Sequence, residues 1–532
     1  MEENLIRKTK SICPQCNAVL DADIFARDGK VFISKTCKKH GDFEDLYFGS
    51  YEMYKRFDKF THDGRAVENP STTCVECPYS CGLCEKHLSG TALANIMLTN
   101  RCNLACFYCF AYAKKNNYIY EPTLEQIRDM LRLLKAEKPV PANAIQFTGG
   151  EPTLREDLIE ILKMAKDEGF RHVQLNTNGI RLSQDVEFAR KVKGAGVNTI
   201  YLSFDGVTEE TNPKNHWEIP GILKNCREAN IGIVLVPTVI NGVNDHELGK
   251  ILEFGFRNID VVRGINFQPV SLVGRMPREE RNKHRITIPD VIHKLEEQTG
   301  GEISEDDFYP VPIVVPITHF VEAVKDKPQY EFTCLPFCGA ATYVFKEVDN
   351  GNSKLIPITR FVNVEEFMKA VQEAADEIGS SIIKPAAKLI EIAKLARKIG
   401  GFIDSEKEPK NLDLANLLVQ IVKKRGDYSA IDEFHHNALF VGMMHFQDKY
   451  NYDVDRVKRC VIHYATPDSR IIPFCAFNVI PEVYRDAIQK KYSFSLEEWE
   501  AKTGGSLESD LYRRDVEKLK SDPEYEKTYG KR

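Results

Sequence analysis

Cys102, Cys106 and Cys109 have the residue type and the spacing to bind an iron–sulfur cluster. A cubane 4Fe–4S cluster has four iron corners, so three thiolates leave one iron open to bind and reduce another molecule. The triplet alone also fits a zinc site, or three buried cysteines in a reducing compartment. An apolar run from Ala94 to Leu98 precedes the triplet and predicts a β-strand leading into it.

A second motif, Gly149-Gly150-Glu151-Pro152, follows another apolar run, Ala144 to Phe147. The two motifs together resemble those of the radical S-adenosylmethionine (SAM) superfamily. This resemblance implies that the open iron binds the amino and carboxyl groups of SAM, and that an electron from the cluster cleaves SAM into methionine and a 5′-deoxyadenosyl radical. In that scheme Gly149 and Gly150 let the backbone approach the ligand, and Glu151 accepts hydrogen bonds from the methionine ammonium.

The first cysteines of the chain form paired metal ligands typical of a small ribbon. Four ligands at this spacing are expected to bind one metal ion tetrahedrally, zinc by default or mononuclear iron as the alternative, and unmetallated cysteines are the remaining option. Turn-forming Asp28-Gly29, before the apolar stretch Val31 to Ile33, predicts a β-hairpin between the pairs. The predicted ligands are Cys13, Cys16, Cys37 and His40.

Four further cysteines lie close together in the sequence and suit an auxiliary 4Fe–4S cluster or a zinc ion. They are Cys74, Cys77, Cys81 and Cys84. The last three repeat the spacing of the later triplet, so either set could bind SAM. We expect the later triplet to do so, because Cys74 offers the earlier set a fourth ligand and only the later set follows a strand and precedes Gly149-Gly150.

Two late cysteine pairs, Cys334 with Cys338 and Cys460 with Cys475, are far apart in sequence. If folding brings them together they make a second auxiliary cluster, and two independent buried pairs are the alternative. Cys226 is expected to be a buried cysteine on a helix face. The predicted cofactors are therefore SAM, three 4Fe–4S clusters and one zinc or mononuclear iron.

Residues 93–275 alternate strand and helix signals, which predicts an α/β fold with a parallel sheet. Six strand–helix units resemble the partial (β/α)6 barrel of the radical SAM superfamily. Ligands of parallel βα folds bind at the carboxyl ends of the strands. There the resemblance places Asn178, Ser203 and Thr238 near SAM, although Asn178 and Ser203 also fit simple turns. The predicted strands are Ala94–Leu98, Ala144–Thr148, His172–Asn176, Thr199–Phe204, Ile231–Val239 and Arg263–Pro269.

With 532 residues, the chain is too long for one ordinary domain. We predict a metal ribbon over 1–60, an auxiliary-cluster segment over 61–92, the radical SAM barrel over 93–275, and a C-terminal α+β domain over 276–532 that carries an auxiliary cluster and substrate-binding helices. The net charge of −6 provides no basic field for nucleic acid. Fifteen cysteines, with no signal-peptide or membrane-spanning pattern, predict a cytoplasmic protein.

We make specific predictions for three C-terminal segments. The amphipathic stretch Leu389 to Ile399 is expected either to contact a membrane surface peripherally or to pack its apolar face against the protein. Basic residues from Arg278 to Arg285 predict a solvated loop, with binding of an anionic head group as the alternative. The charged tail from Leu507 to Arg532 is expected to be peripheral.

Over nearly its whole length, the cysteine pattern resembles archaeal tetraether lipid synthases and related class D radical SAM methylases. The resemblance implies an enzyme that couples the terminal carbons of isoprenoid chains in archaeal diether lipids, with electrons from a reductant such as a ferredoxin. Methylation of a pterin-type cofactor is the alternative enzymatic function. A non-enzymatic iron–sulfur electron carrier is the alternative from another class.

Replacing Cys106 tests which triplet binds SAM. Cys106→Ala is expected to abolish 5′-deoxyadenosine formation in anaerobic incubations with SAM and reductant, because the cluster loses one of three protein ligands. Cys81→Ala, at the same position in the earlier set, is the matched control. SAM cleavage that survives in Cys106→Ala and is lost in Cys81→Ala would show that the earlier set binds SAM.

Overall fold

The structure, a computed structural model, describes residues 4–106, 108–109, 117–273, 279–349, 352–410, 412–423 and 438–530. Its first unit is an antiparallel sheet whose four strands pair in chain order. Asp28 and Gly29 join the middle strands with φ values of 51° and 72°, which is the left-handed turn that the Asp-Gly pair predicts. The strands are β1 (Asn4–Ile12), β2 (Val19–Arg27), β3 (Lys30–Cys37) and β4 (Gly41–Phe48), and the helix Tyr51–Asp58 follows them.

A parallel sheet built from the six predicted strands forms the middle of the protein. Neighbouring strands pair in chain order, so each strand–helix unit lies beside the next. The strands are β5 (Leu93–Met97), β6 (Tyr118–Tyr120), β7 (Ala144–Thr148), β8 (His172–Thr177), β9 (Thr199–Ser203), β10 (Gly232–Val236), β11 (Thr238–Val239) and β12 (Val262–Pro269), of which β6 lies outside this sheet and β11 pairs only with β12.

Amphipathic helices cover one face of this sheet. The helix Leu124–Lys135 begins with a capping box, in which Thr123 and Gln126 exchange side-chain and backbone hydrogen bonds. Alternate strand residues such as Ile145 and Phe147 pack with these helices in one fully buried core. The helices are Leu124–Lys135, Leu158–Asp167, Ile180–Gln184, Val186–Gly194, Ile219–Glu228 and Leu248–Arg257.

The region after residue 275 adds strands to both edges of the parallel sheet. Strand β16 (Ala438–Met444) pairs in parallel with β12, and β17 (Ile462–Ala465) pairs in parallel with β5. The sheet therefore extends beyond the predicted barrel segment, while its closure into a partial barrel stays a prediction. The later strands are β13 (Tyr309–Pro310), β14 (Gly339–Asp349), β15 (Asn352–Pro357), β16 (Ala438–Met444), β17 (Ile462–Ala465), β18 (Ile471–Pro473) and β19 (Ser493–Ser495).

Helices of the C-terminal region pack around these strands and on one another. In Lys384–Lys398, Leu395 is buried, whereas Leu389 and Ile390 are 67% and 52% exposed. The expected packing of the apolar face thus holds for only part of the stretch. No helix in the described ranges is both long and apolar enough to cross a membrane. The helices are Arg281–His284, Ile288–Gln298, Val315–Lys325, Val364–Ser380, Lys384–Lys398, Leu414–Lys423, Val454–Lys458, Phe474–Val479, Arg485–Lys491, Leu496–Thr503, Val516–Lys520 and Pro523–Tyr529.

Buried charges attach the N-terminal sheet to the C-terminal region. The carboxylate of Asp453 is fully buried and pairs with the Arg7 guanidinium. It also accepts hydrogen bonds from Thr9 Oγ1 and Tyr47 Oη, both at 2.7 Å. Lys35 Nζ, buried beneath the same sheet, donates to Ser11 Oγ at 2.9 Å and to two main-chain carbonyls of the loop 449–450, each at 2.8 Å.

Arg281 and Arg285 of the basic cluster are part of this interface, so the predicted solvated loop is wrong for these two residues, whereas Lys283 is exposed. Arg285 is only 8% exposed and pairs with Asp45 at 3.0 Å and with Asp448 at 2.6 Å. Arg281 also pairs with Asp45, at 2.8 Å. The physical reason is that a buried carboxylate needs a cation beside it. Arg278 lies outside the described residues.

Asp453→Ala is expected to lower the free energy of unfolding by about 3–5 kcal/mol, because it leaves the Arg7 guanidinium without its buried partner. Asp21→Ala removes the exposed partner of Lys10 on the same sheet and should change stability by less than about 0.5 kcal/mol. Denaturant titration under anaerobic conditions measures both changes. Equal losses in the two variants would contradict the role of Asp453 as the anchor of this interface.

Candidate functional site

The segment Thr99 to Arg101, which leads to Cys102, lies directly against Gly149-Gly150. Gly150 N donates to Thr99 O at 2.7 Å, and Glu151 N donates to Arg101 O at 2.8 Å. A Cβ atom on Gly149 would lie 2.3 Å from Thr99 O, and one on Gly150 would lie 2.0 Å from Arg101 O. The two glycines are therefore required for close approach between two backbone segments. Their predicted approach to a ligand stays a prediction.

Glu151 is buried at the carboxyl end of β7, with 1% of its surface exposed. Its Oε1 accepts from Thr153 Oγ1 and Thr177 Oγ1, each at 2.6 Å, and its Oε2 accepts from Asn178 N at 2.8 Å. Burial raises the pKa of this carboxyl, and these hydrogen bonds oppose that effect. Oε2 keeps a lone pair beyond the Asn178 bond, which suits the predicted contact with an ammonium group.

The other predicted SAM residues also lie at the carboxyl ends of parallel strands. Asn178, after β8, donates from Nδ2 to Asn103 Oδ1 at 2.7 Å and so contacts the cysteine loop. Ser203 ends β9, and its carbonyl accepts from Asn215 Nδ2 at 2.7 Å. Thr238 begins β11, and its N–H donates to Asp205 Oδ1 at 3.0 Å. The structure thus brings these residues to one edge of the sheet, and their contact with SAM stays a prediction.

The cysteine triplet lies at the same edge. Burial raises the thiol pKa of both Cys102 and Cys106. Electrostatic repulsion from Glu151 adds to the shift at Cys102, while the Lys214 ammonium opposes the shift at Cys106. The thiols of Cys102 and Cys106 also interact with that of Cys109, so all three face a common region. Three thiols that face one region, with a cation nearby, fit the predicted 4Fe–4S cluster with an open iron.

The ribbon ligands converge as the sequence predicts. The ligand atoms of Cys13, Cys16, Cys37 and His40 all lie within 4.8 Å of one another. His40 Nδ1 is 3.4 Å from Cys13 Sγ and 3.5 Å from Cys37 Sγ. The backbone N–H of Lys39 is the main cause of a lowered pKa at Cys37, which favours the thiolate that a metal binds. Three sulfurs and one imidazole nitrogen at these separations fit a tetrahedral zinc ion.

The predicted auxiliary ligands also come together. The Cys81 thiol lowers the pKa of Cys77 and the Cys77 thiol raises that of Cys81, while burial and the Cys74 thiol raise the pKa of Cys84, so the members of each pair lie near each other. In the second predicted set, the neighbouring Cys334 thiol contributes to a lowered pKa at Cys338. Cys460 interacts electrostatically with Cys338 and Cys475, so folding unites the two distant pairs. That either set holds a cluster stays a prediction.

Within the described ranges, the ribbon is the one place where three or more potential ligand atoms lie within 4.8 Å of one another. The ligand atoms of a single-ion site are expected to lie closer together than those of a cluster site. Around one ion all ligands touch the same atom, whereas each thiolate of a cubane binds a different iron and the sulfurs stand further apart.

Comparison with known proteins is consistent with this geometry. Residues 96–255 match the family profile described as the radical SAM superfamily, and residues 5–49 match the N-terminal zinc ribbon domain of the HMPTM type. A protein of Methanocaldococcus jannaschii is 47% identical over 515 residues, which cover 95% of this chain and 100% of that protein. This chain belongs to the radical SAM superfamily. It shares a family with the M. jannaschii protein, whose name is 7,8-dihydro-6-hydroxymethylpterin dimethyltransferase.

More distant relatives of this radical SAM enzyme cover less of the chain. A probable GTP 3′,8-cyclase of Saccharolobus islandicus (strain Y.N.15.51 / Yellowstone #2) is 32% identical over 243 residues, covering 43% of this chain and 73% of that protein. The crystal structure of HydG, a maturase of the [FeFe]-hydrogenase, is 14% identical and covers 40% of this chain and 50% of its own, with a TM-score of 0.33. That structural likeness is too weak to bear on the reaction.

The comparison corrects the expected reaction. Coupling of isoprenoid chains in diether lipids is contradicted, because the relative that aligns over its whole length is named as a methyltransferase of a pterin. Lipid synthases and methylases share this cysteine pattern, so the pattern indicates the cofactors but not the substrate. The family implies SAM and a 4Fe–4S cluster, and the ribbon supports a zinc site.

Sequence reasoning missed three residues of these sites. Lys214 and Asn215 lie in the segment after β9 and contact residues of the predicted SAM site. Arg456 is 2% exposed, and its Nε donates to Cys338 Sγ at 3.3 Å, where the cation offsets thiolate charge. None of the three stands next to a cysteine in sequence, so spacing alone carries no signal for them.

Cys13→Ala is expected to remove about one equivalent of zinc per chain, because a three-ligand ribbon site holds the ion weakly. Cys226→Ala, which changes a buried cysteine that belongs to none of the predicted ligand sets, should keep the wild-type zinc content. Metal analysis of anaerobically purified protein measures both. Retention of zinc in Cys13→Ala, or a full equivalent of iron in place of zinc in the wild type, would contradict the assignment.

Proposed function

We propose that this enzyme is a radical SAM methylase that acts on a pterin-type substrate. The observation that carries the proposal is the 47% identity with the pterin dimethyltransferase of M. jannaschii, which extends over the whole of that protein. The alignment covers 95% of this chain, so it extends far beyond the radical SAM segment. A shared cofactor domain alone would align only over part of the chain.

A row of polar side chains on the parallel sheet supports a polar substrate. Asn95, Gln146 and Gln174 lie in register on β5, β7 and β8. Gln146 Nε2 donates to Asn95 Oδ1 at 2.9 Å, and Gln174 Nε2 donates to Gln146 Oε1 at 2.5 Å. Because strand residues alternate, this row lies on the face opposite the residues that pack against the helices.

Two further strands extend the polar surface. Tyr201 on β9 accepts hydrogen bonds from Asn266 and Gln268 on β12. A pterin ring carries several nitrogen and oxygen atoms that donate and accept hydrogen bonds, so buried amide and phenol groups can pair with it. A saturated hydrocarbon offers no hydrogen-bonding group to this polar surface.

In the proposed reaction, the chain positions the reactants at the carboxyl ends of the strands. Cys102, Cys106 and Cys109 would hold the SAM-binding cluster, which with SAM supplies the 5′-deoxyadenosyl radical. Glu151 would orient the methionine ammonium through its free lone pair, and its bonds to Thr177 and Asn178 keep the carboxylate fixed. Glu151, Thr177 and Asn178 are buried, which limits the access of water to this part of the site.

The proposal is tested by anaerobic incubation of the reconstituted enzyme with reductant, 7,8-dihydro-6-hydroxymethylpterin and SAM that carries a deuterated methyl group. We expect the pterin to accelerate 5′-deoxyadenosine formation and to gain methyl groups detectable by mass spectrometry. Deuterium in the product identifies SAM as the methyl source, and its absence points to a separate one-carbon donor. SAM cleavage at a rate that the pterin does not alter, with no methylated pterin, would overturn the proposal.

Gln174→Leu separates substrate binding from SAM cleavage. The KM for the pterin should rise about tenfold, because the variant lacks one buried hydrogen-bonding amide of the polar row. Cleavage of SAM in the absence of the pterin should not change. Gln184→Leu, on an exposed helix position, is the control and should behave like the wild type. An unchanged pterin KM in Gln174→Leu would show that the row does not contact the substrate.

A further inference from the structure

A buried ion pair ties the cysteine loop to the end of β9. Lys214 Nζ lies 2.7 Å from Asp205 Oδ2 and donates to Tyr108 Oη at 2.8 Å, while Tyr108 Oη also donates to Asp205. The side chains of Lys214 and Asp205 are each 7% exposed. Tyr108 stands between Cys106 and Cys109 in sequence, so these three side chains connect the loop of the SAM-binding triplet to the sheet.

The C-terminal tail contacts the segment that carries Lys214. Arg514 pairs with the buried carboxylate of Glu218 at 2.7 Å, and its Nη2 donates to the main-chain carbonyl of Lys214 at 2.6 Å. The same guanidinium lies over the Trp217 ring, 4.5 Å from its centroid. A single planar cation thereby binds a carboxylate, a carbonyl and an aromatic face.

Two tyrosines close to the end of the described chain extend this contact. Tyr529 stacks on His216 with ring centroids 4.3 Å apart, and its hydroxyl donates to His216 O at 2.9 Å. Tyr525 Oη lies 2.9 Å from His216 Nε2. The tail lies at the surface, as predicted, and these aromatic side chains pack it on the segment beside the predicted SAM site.

The same tail also holds the other side of the site. Asp510 pairs with Arg101 Nη1 at 2.7 Å, and Arg101 directly precedes Cys102. The Arg101 guanidinium stacks over Trp499 at 4.6 Å, and Trp499 Nε1 donates to Glu121 at 3.1 Å. Residues 496–530, here called the strap, thus contact the start of the cysteine loop and the segment 213–218.

We propose that Lys214 and Arg514 are positioning residues of the SAM site, with Lys214 holding the cysteine loop through Tyr108 and Asp205, and Arg514 of the strap holding the main chain at Lys214. Lys214 also places a positive charge near Cys106. This inference rests on membership of the radical SAM superfamily and not on the identity of the substrate. SAM cleavage without pterin therefore tests it separately from the proposed methylation.

The first experiment compares Arg514→Ala, Arg514→Lys and the control Lys520→Ala in the reconstituted holoenzyme. Lys520 lies on the same strap and pairs with Glu209, whose side chain is 31% exposed. We expect Arg514→Ala to lower kcat for 5′-deoxyadenosine formation at least about tenfold at unchanged iron content, since small displacements of a reacting group are costly. Arg514→Lys should recover only part of the rate, because lysine lacks the planar fork, and Lys520→Ala should match the wild type.

Hydrogen exchange of the same holoenzymes reports the positioning directly. Arg514→Ala should speed amide exchange in the peptides covering 205–218 and 101–109, whereas Lys520→Ala should not. Exchange and SAM cleavage that both remain at wild-type values in Arg514→Ala would overturn the role of the strap. If Arg514→Ala does not fold, the same two measurements on Arg514→Lys decide the question.

The second experiment measures the reduction potential of the SAM-binding cluster in Lys214→Met and Lys214→Arg. Loss of the cation leaves Asp205 unbalanced near Cys106, so Lys214→Met should shift the potential to a more negative value, and Lys214→Arg should restore most of it. The change in the electron paramagnetic resonance spectrum on adding SAM should be weakened only in Lys214→Met. A potential and a SAM response identical to the wild type in Lys214→Met would overturn the role of Lys214.

Discussion

The close contact between Gly149-Gly150 and the backbone at Thr99 to Arg101 is the constraint on which the site depends. It sets the start of the cysteine loop against the end of β7, so that Cys102 and the Glu151 carboxylate lie close enough to interact. Any Cβ at either glycine would separate the two segments. The polar residues at the ends of β8 and β9 then complete the same edge, because parallel strands end together.

The regions outside the radical SAM segment hold this edge in place. Strands β16 and β17 extend the parallel sheet on both sides, and the strap crosses from Arg101 to Lys214. The N-terminal ribbon is attached through the buried carboxylate of Asp453. Segments that are distant in sequence therefore support the same site.

Cysteines of all three predicted cluster sets border one apolar core. Cys81 and Cys475 belong to it, and Cys109 packs against it. Thiolates in apolar surroundings are costly unless cations or metal ions balance them. Arg456 beside Cys338 and Lys214 near Cys106 supply such charges, which explains why isolated basic residues are buried in this part of the protein.

The sequence was enough to predict the ribbon ligands, the six strands and the strand-end residues, because ligand spacing and hydrophobic periodicity are local properties of the chain. It misled on the substrate, since a cysteine pattern describes the cofactors and not the molecule that reacts with them. It also missed Lys214, Arg456 and the strap. The roles of these residues depend on contacts with residues far away in the sequence. Only tertiary packing decides which charged side chains become buried together.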